Sequence, residues 1–409
     1  GEIVERLGGA RGDTTAFFAF ADTVATRRYG HAETGHGWLG IRFQARPGDA
    51  PSEVLIYAEL FDSTAVMQQE ALGVLGVNLV HAALFHHADP ATLIAGLLDD
   101  LGRVRAEVGM IKFSGAAFAG VDNRLMSLQL VEQGLTDVAM FTAAGEVVQP
   151  AEVLHRKPVL VVRGHFRPVT RRTLDIVERA GAQFRREPAV DGQEPLVLME
   201  MTLRSLTSGA GVDHADFLAR ADILGELGVN ILISRFTEYY RLAEYLVGAT
   251  TGMIGIGLDL LSLRELADEQ HFRELPGGII ESTGRLFKRS VKMFVYPTRN
   301  PVTGEVYTLD GAPVPPPWNH LRDLLVHLGR IEPIREYSAE CLSISGPDVL
   351  ARIQRGDPSW EAMVPAPAVK TIKAKNLFGY TPGADDPRAT ISTPAAPAPS
   401  GRPRHGGQP

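Results

Sequence analysis

The chain has 409 residues, is 44% hydrophobic and carries a formal net charge of −7. This charge argues against a general nucleic-acid-binding protein, whose binding domain would be basic. The single cysteine, Cys341, excludes an internal disulfide and a cysteine-based zinc site, and it fits a reducing compartment. No apolar run reaches the length of a membrane helix and no signal peptide is visible, so we expect a cytoplasmic protein.

The N-terminal segment, residues 1–50, is predicted to contain a helix over residues 1–30 and a strand over residues 38–44. Gly1 falls inside the predicted helix, so we expect this segment to be incomplete. The strands predicted after it are residues 54–61, 77–84, 110–113, 137–141, 159–162, 196–203, 230–236, 253–258 and 291–296. The helices predicted between them are residues 64–75, 90–101, 123–134, 169–184, 214–227, 238–247, 260–269 and 278–287. Strands that alternate with helices predict an α/β protein with a mainly parallel sheet.

The sequence also contains an internal similarity. The run Leu72-Gly-Val-Leu-Gly-Val-Asn-Leu79 resembles Leu224-Gly-Glu-Leu-Gly-Val-Asn-Ile231, and the predicted strands around both runs follow the same order. We therefore predict a duplicated βαβαβαβ unit. Two architectures fit: two Rossmann-like sheets in tandem, or a (β/α)8 barrel built from two half-barrels. The extra strand at residues 159–162 slightly favours the tandem sheets.

These patterns divide the chain into a first α/β unit over residues 51–190, a second over 191–335 and a helical extension over 336–380. Helices are predicted at residues 319–329 and 348–355. Residues 369–380 mix lysines with apolar side chains, which fits docking onto the domain or onto a partner. Residues 381–409 are rich in proline and alanine and are predicted to be disordered, because they cannot bury a core.

One basic turn is the strongest candidate binding site. It joins the strand at residues 159–162 to the helix that begins near Val169, through Gly164. The first N–H groups of a helix are unpaired and attract anions. The arginines around this turn are Arg163, Arg167, Arg171 and Arg172. A phosphate is the simplest ligand for this arrangement.

The turn also resembles the adenylyl- and cytidylyltransferases that make NAD and coenzyme A. Their motif is Gly-Ser/Thr-Phe-Asp-Pro-Ile/Val-Thr/His-x-Gly-His after the first strand, and the residues that match it here are Gly164, Phe166, Pro168, Val169 and Thr170. The departures that matter most are Arg167 for Asp, Arg172 for Gly and Thr173 for the last His. In the family that histidine contacts the nucleotide phosphates. Thr173 can donate a hydrogen bond but carries no positive charge.

The resemblance implies a nucleotide site with two groups of residues. The binding residues would be Arg163, Gly164, His165, Phe166, Thr170 and Arg171, with Lys112 facing the same cleft. The catalytic residues of a nucleotidyl transfer would be Thr173, Arg172 and Arg167. ATP with magnesium is one candidate cofactor, and no residues are predicted to hold a metal. Residues just past the other predicted strand ends, among them Asp259, would join this site only if the strands share one sheet.

Longer stretches are similar to a bacterial, largely cyanobacterial, family that carries the names nicotinamide-nucleotide adenylyltransferase-like and TonB-dependent receptor. The matching stretches begin at Val121-Asp-Asn-Arg, Arg163-Gly-His-Phe, Glu238-Tyr-Tyr-Arg, Gly277-Gly-Ile-Ile and Lys375-Asn-Leu-Phe. The receptor name conflicts with the pattern, because a transporter barrel needs many alternating amphipathic strands. The resemblance implies a shared fold and adds little about chemistry.

Two functional hypotheses follow. In the first, the protein binds a nucleotide or another phosphorylated small molecule and, if active, catalyses nucleotidyl transfer. In the second, it is a non-enzymatic scaffold that forms an oligomer and recruits a partner through residues 369–380 and the tail. Under both hypotheses we expect neither nucleic acid nor a membrane as a partner, and we expect a homo-oligomer.

Overall fold

The computed structural model describes residues 15–26, 34–209, 211–288, 290–300, 302–311, 316 and 318–382. The helix predicted over residues 1–30 lies partly outside these ranges. The prediction is wrong for Phe18–Ala25, which form a strand, β1. The predicted disordered tail lies outside the described residues from residue 383 onward. No described helix is both long enough and apolar enough to cross a membrane.

The first part of the chain forms an antiparallel four-stranded sheet. Its order is β1-β2-β3-β4, with β2 at Gly35–Phe43, β3 at Ser52–Leu60 and β4 at Ala106–Gly115. Helices α1 (Ala65–Phe85) and α2 (Pro90–Ala95) connect β3 to β4. They cover one face of the sheet, where their apolar side chains pack on those of β2 and β3. The alternating burial along β2 is typical of a sheet with one covered face.

The predicted duplication is wrong, because the two similar runs adopt different structures. Residues 72–79 lie in the middle of α1, so the strand predicted at residues 77–84 is helical. Residues 224–231 instead end one helix and enter a strand that begins at Asn230. A continuous apolar run fits a buried strand and a buried helix equally well, and only its surroundings decide between them.

The second part of the chain forms an eight-stranded sheet. Its strands are β5 (Val138–Phe141), β6 (Val147–Val148), β7 (Val159–Arg163), β8 (Leu196–Thr202), β11 (Asn230–Ser234), β12 (Ile254–Asp259), β13 (Val291–Tyr296) and β16 (Ile331–Pro333). The spatial order is β16-β13-β12-β7-β8-β11-β5-β6. The strands from β16 to β11 are parallel, and β5 and β6 add antiparallel pairs at one edge. Two short ribbons lie outside this sheet: β9 (Thr207–Ser208) with β10 (Gly211–Val212), and β14 (Thr298–Arg299) with β15 (Val306–Tyr307).

The six parallel strands have the doubly wound order. Numbered by their occurrence in the chain, they stand in the order 3-2-1-4-5-6, with β7 first and β12 fourth. The α/β class with a mainly parallel, Rossmann-like sheet is therefore confirmed. The sheet is open, with β16 and β6 at its edges, so the barrel alternative is wrong. The prediction of two Rossmann-like sheets in tandem is also wrong, because the first part of the chain forms an antiparallel sheet and only the second part forms a mainly parallel one.

Helices cover both faces of the parallel sheet. After α3 (Asn123–Glu132) and α4 (Pro150–Leu154) come α5 (Arg171–Phe184), α6 (Leu203–Leu206), α7 (His214–Glu226), α8 (Tyr239–Ala249), α9 (Leu260–Glu265), α10 (Gly278–Leu286), α11 (Trp318–His327), α12 (Gly346–Arg355) and α13 (Ala366–Lys375). The apolar cores place α5, α7, α12 and α13 on one face and α8, α10 and α11 on the other. Ile372 and Phe378 are buried in the first of these cores, so the segment predicted at residues 369–380 docks onto its own chain.

Candidate functional site

A cavity of about 540 Å³ lies at the carboxyl ends of β7 and β12. These are the first and fourth parallel strands, where the chain connections diverge to opposite faces of the sheet. Ligands of doubly wound proteins bind in the crevice that this divergence leaves. The lining residues include Arg163, Gly164, His165, Phe166, Arg167, Thr170, Arg172, Thr173, Asp259, Ser262, Ser345, Gly346 and Pro347.

Three helix N-termini converge on this cavity. Helix α5 presents Thr170, Arg172 and Thr173, α9 presents Asp259, Leu261 and Ser262, and α12 presents Ser345, Gly346 and Pro347. Thr170 Oγ1 accepts a hydrogen bond from Thr173 N at 3.3 Å, and Asp259 Oδ1 accepts one from Ser262 N at 2.8 Å. Within the described residues, the Ser345 side chain makes no such bond with α12. The positive ends of these helix dipoles favour an anionic ligand.

Arg163 is enclosed by partners from its own chain. Its guanidinium donates to Glu200 at 2.6 and 3.1 Å and to the carbonyl oxygens of Phe236 and Thr237 at 2.9 and 2.8 Å. It also lies 4.5 Å from the ring centroid of Tyr239. Burial lowers the pKa of Arg163, but its attraction to Glu200 outweighs this effect, so the pKa lies above the ordinary value. Arg163 borders the cavity as a buried structural cation.

Arg167 is the most open cation that lines the cavity. Its Nε donates to Asp216 Oδ1 at 2.6 Å, while 42% of its side chain stays exposed. Arg220 binds the other oxygen of Asp216 and donates to the carbonyl oxygen of His165 at 2.9 Å. Two arginines thus share one carboxylate, and the nearby Asp213 also acts on Arg220.

Arg172 lies between the three helix N-termini. Its Nη2 donates to Asp259 Oδ2 at 2.9 Å and to Thr298 Oγ1 at 3.1 Å, and Nη1 donates to the Ile344 carbonyl oxygen at 3.4 Å. Its Nε is buried and has no partner among the described residues. A buried N–H of this kind is normally satisfied by a ligand or an ordered water. Asp259 neutralises much of the charge of Arg172, so an anion would compete with this carboxylate.

Two of the predicted binding residues lie elsewhere. Arg171, next to Arg172 in sequence, contacts Ala362 and Glu340 and lines a separate surface depression. Lys112 is exposed on β4 of the four-stranded sheet and is not among the residues that line the cavity. Successive residues at a helix start point about 100° apart, which explains why Arg171 and Arg172 separate.

The turn between β7 and α5 is shaped by its own side chains. Phe166 adopts a left-handed φ of 49°, and its side chain is buried in the core while the residue also lines the cavity. A Cβ at Gly164 would lie 2.6 Å from that ring, which restricts this position to glycine. His165 is exposed at the cavity, where partial desolvation and the nearby charge of Arg220 lower its pKa. A neutral imidazole is therefore favoured near pH 7.

The predicted catalytic residue Thr173 takes part in the helix cap. Its hydroxyl lies 3.2 Å from the hydroxyl of Thr170, and both residues line the cavity. Sequence reasoning missed Glu200 and Asp216, the acidic partners of Arg163 and Arg167. It also missed the contribution of α12. Asp259 was expected at this site if the strands share one sheet, because it stands just past a predicted strand. No group of three or more metal-ligating side chains occurs among the residues that the structure describes.

Comparisons with known proteins give little further information. No protein-family model matches the chain, and no curated protein matches its sequence. Plasmodium falciparum nicotinic acid mononucleotide adenylyltransferase complexed with APC is one weakly similar solved structure, at 9% identity and a TM-score of 0.34, covering 55% of this chain and 99% of that one. MenC from Desulfotalea psychrophila LSv54 is another, at 12% identity and a TM-score of 0.14, covering 83% of this chain and 92% of that one. Neither similarity is strong enough to support a functional argument.

Proposed function

We propose that the protein binds a phosphorylated small molecule, such as a nucleotide, in the cavity between β7 and β12. The observation that carries the proposal is the position of the cavity: it lies at the switch point of the parallel sheet, against the N-terminus of α5. Its volume of about 540 Å³ falls within the usual range of roughly 300–1,000 Å³ for small-molecule sites.

The helix N-termini and the arginines around the cavity favour an anion with more than one phosphoryl group. The backbone N–H groups of α5 would bind one group, and the N-terminus of α12, where Pro347 lacks an N–H, borders the space for another. Arg172 lies between these two ends, and Arg167 adds a second guanidinium that is 42% exposed. We therefore expect a diphosphate, free or within a nucleotide, to bind more tightly than a single carboxylate.

Binding of a phosphorylated small molecule is the proposed function, and nucleotidyl transfer is the enzymatic activity to assay after it. Such a transfer depends mainly on positioning and on neutralising charge in the transition state. Thr173 supplies only a hydroxyl where the related motif has a histidine, so Arg172 and Arg167 would have to stabilise the developing charge. Asp259 and Asp216 already pair with these arginines, which lowers the charge that they can offer.

The test is a thermal-shift and calorimetric titration with inorganic phosphate, pyrophosphate, AMP and ATP, each with and without magnesium. A ligand present at 100 times its dissociation constant stabilises the fold by about 2.7 kcal/mol. We expect pyrophosphate or a nucleotide to give a clear shift, and Arg172→Ala to abolish it.

Arg171→Ala is the matched control. The two arginines are neighbours in sequence, but only Arg172 lines the cavity, so Arg171→Ala should bind like the wild type. The ligand-free melting temperature of each variant shows whether the fold survives, and Arg172→Gln serves if the alanine variant is unstable. No shift with any ligand, or equal losses in both variants, would contradict the proposal.

A further inference from the structure

The wall of the cavity beside α12 is formed by irregular chain. We call residues 334–345 the wall segment, which runs from the end of β16 to the N-cap of α12 and contains one turn of 3-10 helix at Cys341–Ser343. Its last two residues, Ile344 and Ser345, line the cavity together with Gly346 and Pro347 of α12. Irregular chain lacks a ladder of backbone hydrogen bonds, so other contacts must hold it in place.

Helix α5 holds the wall segment through the carboxylate of Asp175. Its Oδ2 accepts a hydrogen bond from Ser338 N at 2.8 Å, and Tyr296 of β13 donates its hydroxyl to the same oxygen. Arg179 Nε donates to the other oxygen at 3.1 Å. Asp175 is 7% exposed and Tyr296 is completely buried, so water competes little for these hydrogen bonds.

Tyr296 supports the wall segment from the parallel sheet. Burial raises the pKa of Tyr296 and its hydrogen bond to Asp175 raises it further, so the hydroxyl keeps its proton and acts as a donor. The ring centroid of Tyr337, a residue of the wall segment, lies 6.0 Å from that of Tyr296. Leu342 of the same segment is buried in the same apolar core as Tyr296. Helix α5 and strand β13 therefore hold the wall segment together.

Two other contacts between α5 and the wall segment are weaker. Arg171 Nη2 donates to Glu340 at 3.4 Å, and the two side chains are 44% and 69% exposed. Exposed ion pairs of this kind contribute little to stability. Arg172 Nη1 donates to the Ile344 carbonyl oxygen at 3.4 Å, and an anion in the cavity would compete for this guanidinium. Asp175 therefore makes the strongest of the three contacts, and its contact remains when a ligand engages Arg172.

We propose that Asp175 is a positioning residue for the phosphate site, because it fixes the wall segment that carries the N-terminus of α12. This inference rests on the proposed function, since the site in question is the same cavity. Asp175 is not among the residues that line the cavity, so it acts through Ser338 and the backbone that leads to Ser345. Hydrogen bonds to a phosphoryl group depend steeply on distance and angle, so a loose wall segment lowers the affinity.

Calorimetric titration with pyrophosphate tests this role in variants of the whole chain. Asp175→Ala should raise the dissociation constant at least about tenfold, because Ser338 N loses its acceptor. Asp175→Asn should stay within about threefold of the wild type, because its amide oxygen can still accept from Ser338 and Tyr296. The amide nitrogen then faces Arg179, whose side chain is 32% exposed and can turn toward solvent.

A double variant separates positioning from stability. In Asp175→Ala the buried hydroxyl of Tyr296 has no acceptor, which destabilises the fold. Adding Tyr296→Phe removes this unsatisfied group, so the double variant should recover most of the lost unfolding free energy in chemical denaturation. The second change does not restore the acceptor of Ser338, so the weak binding of pyrophosphate should persist. A residue that only stabilised the fold would recover affinity and stability together.

Asp62→Ala is the matched control. Asp62 is also buried and also binds an arginine, since Arg105 Nε donates to it at 2.9 Å, but it follows β3 of the four-stranded sheet. This variant should lose stability and keep the wild-type dissociation constant. Hydrogen exchange of the ligand-free proteins gives a second measurement. The amides of residues 338–346 should exchange faster in Asp175→Ala than in the wild type, and at the wild-type rate in Asp62→Ala.

The outcomes separate this role from the proposed function. If the wild type binds pyrophosphate and the double variant binds it equally well, the positioning role is overturned and the proposed function stands. Unchanged exchange at residues 338–346 would also overturn the positioning role. A wild type that binds no phosphorylated ligand would overturn the proposed function and, with it, the role of Asp175. If Asp175→Ala does not fold, the double variant carries both measurements.

Discussion

Glu200→Gln offers a direct test of the structural role assigned to Arg163. Glu200 is completely buried at the carboxyl end of β8. Its Oε2 accepts from Arg163 Nε at 2.6 Å. Its Oε1 accepts from Arg163 Nη2 at 3.1 Å and from Ser234 Oγ at 2.5 Å. The substitution keeps the shape of the side chain and removes only its charge.

The expected cost follows from these contacts. Either orientation of the glutamine amide places an N–H donor against an N–H of Arg163, so at least one charge-assisted hydrogen bond is lost. The guanidinium stays buried without a counter-ion, with only 11% of the Arg163 side chain exposed. Breaking a buried ion pair from one side typically costs about 3–5 kcal/mol. That is a large part of a typical unfolding free energy of about 5–15 kcal/mol.

Chemical denaturation followed by circular dichroism measures this cost. Glu194→Gln is the matched control, because Glu194 also binds an arginine, Arg185, through its guanidinium, but the two side chains are 72% and 47% exposed. Removing this surface pair should cost about 1 kcal/mol or less. If Glu200→Gln costs no more than Glu194→Gln, then Arg163 is not held as a buried structural cation, and its role as a ligand-binding residue returns.

Two further predictions concern the cavity. Asp259→Asn should raise the affinity for pyrophosphate about tenfold, equivalent to about 1.4 kcal/mol, because asparagine still caps α9 but no longer neutralises Arg172. Calorimetry measures this change, and an unchanged or lower affinity would contradict the inferred competition. His165 has a lowered pKa in the folded chain, so the unfolded chain takes up its proton more readily and stability falls as the pH drops through about 6.5. His165→Gln should reduce the loss of unfolding free energy between pH 7.5 and 5.5, and an equal loss in both proteins would refute this effect.

The local elements of the parallel sheet were well determined by the sequence. Buried strands such as Val159–Arg163 and Val291–Tyr296 are short, β-branched or aliphatic runs, and their helices begin at capping residues such as Thr170 and Asp213. These features depend on neighbours within a few residues, so composition and spacing suffice to find them. The basic turn was located for the same reason, since Gly164 and its arginines are adjacent in the chain.

The sequence by itself thus determined the α/β class, most strands and helices, and the turn that borders the cavity. Only the tertiary structure decided that residues 72–79 are helical, because the covering sheet lies outside any local window. It also decided what each arginine does. Arg163, Arg167 and Arg172 meet Glu200, Asp216 and Asp259, which follow them by 37, 49 and 87 residues. Ion pairs depend on distance in space, and the fold alone sets that distance.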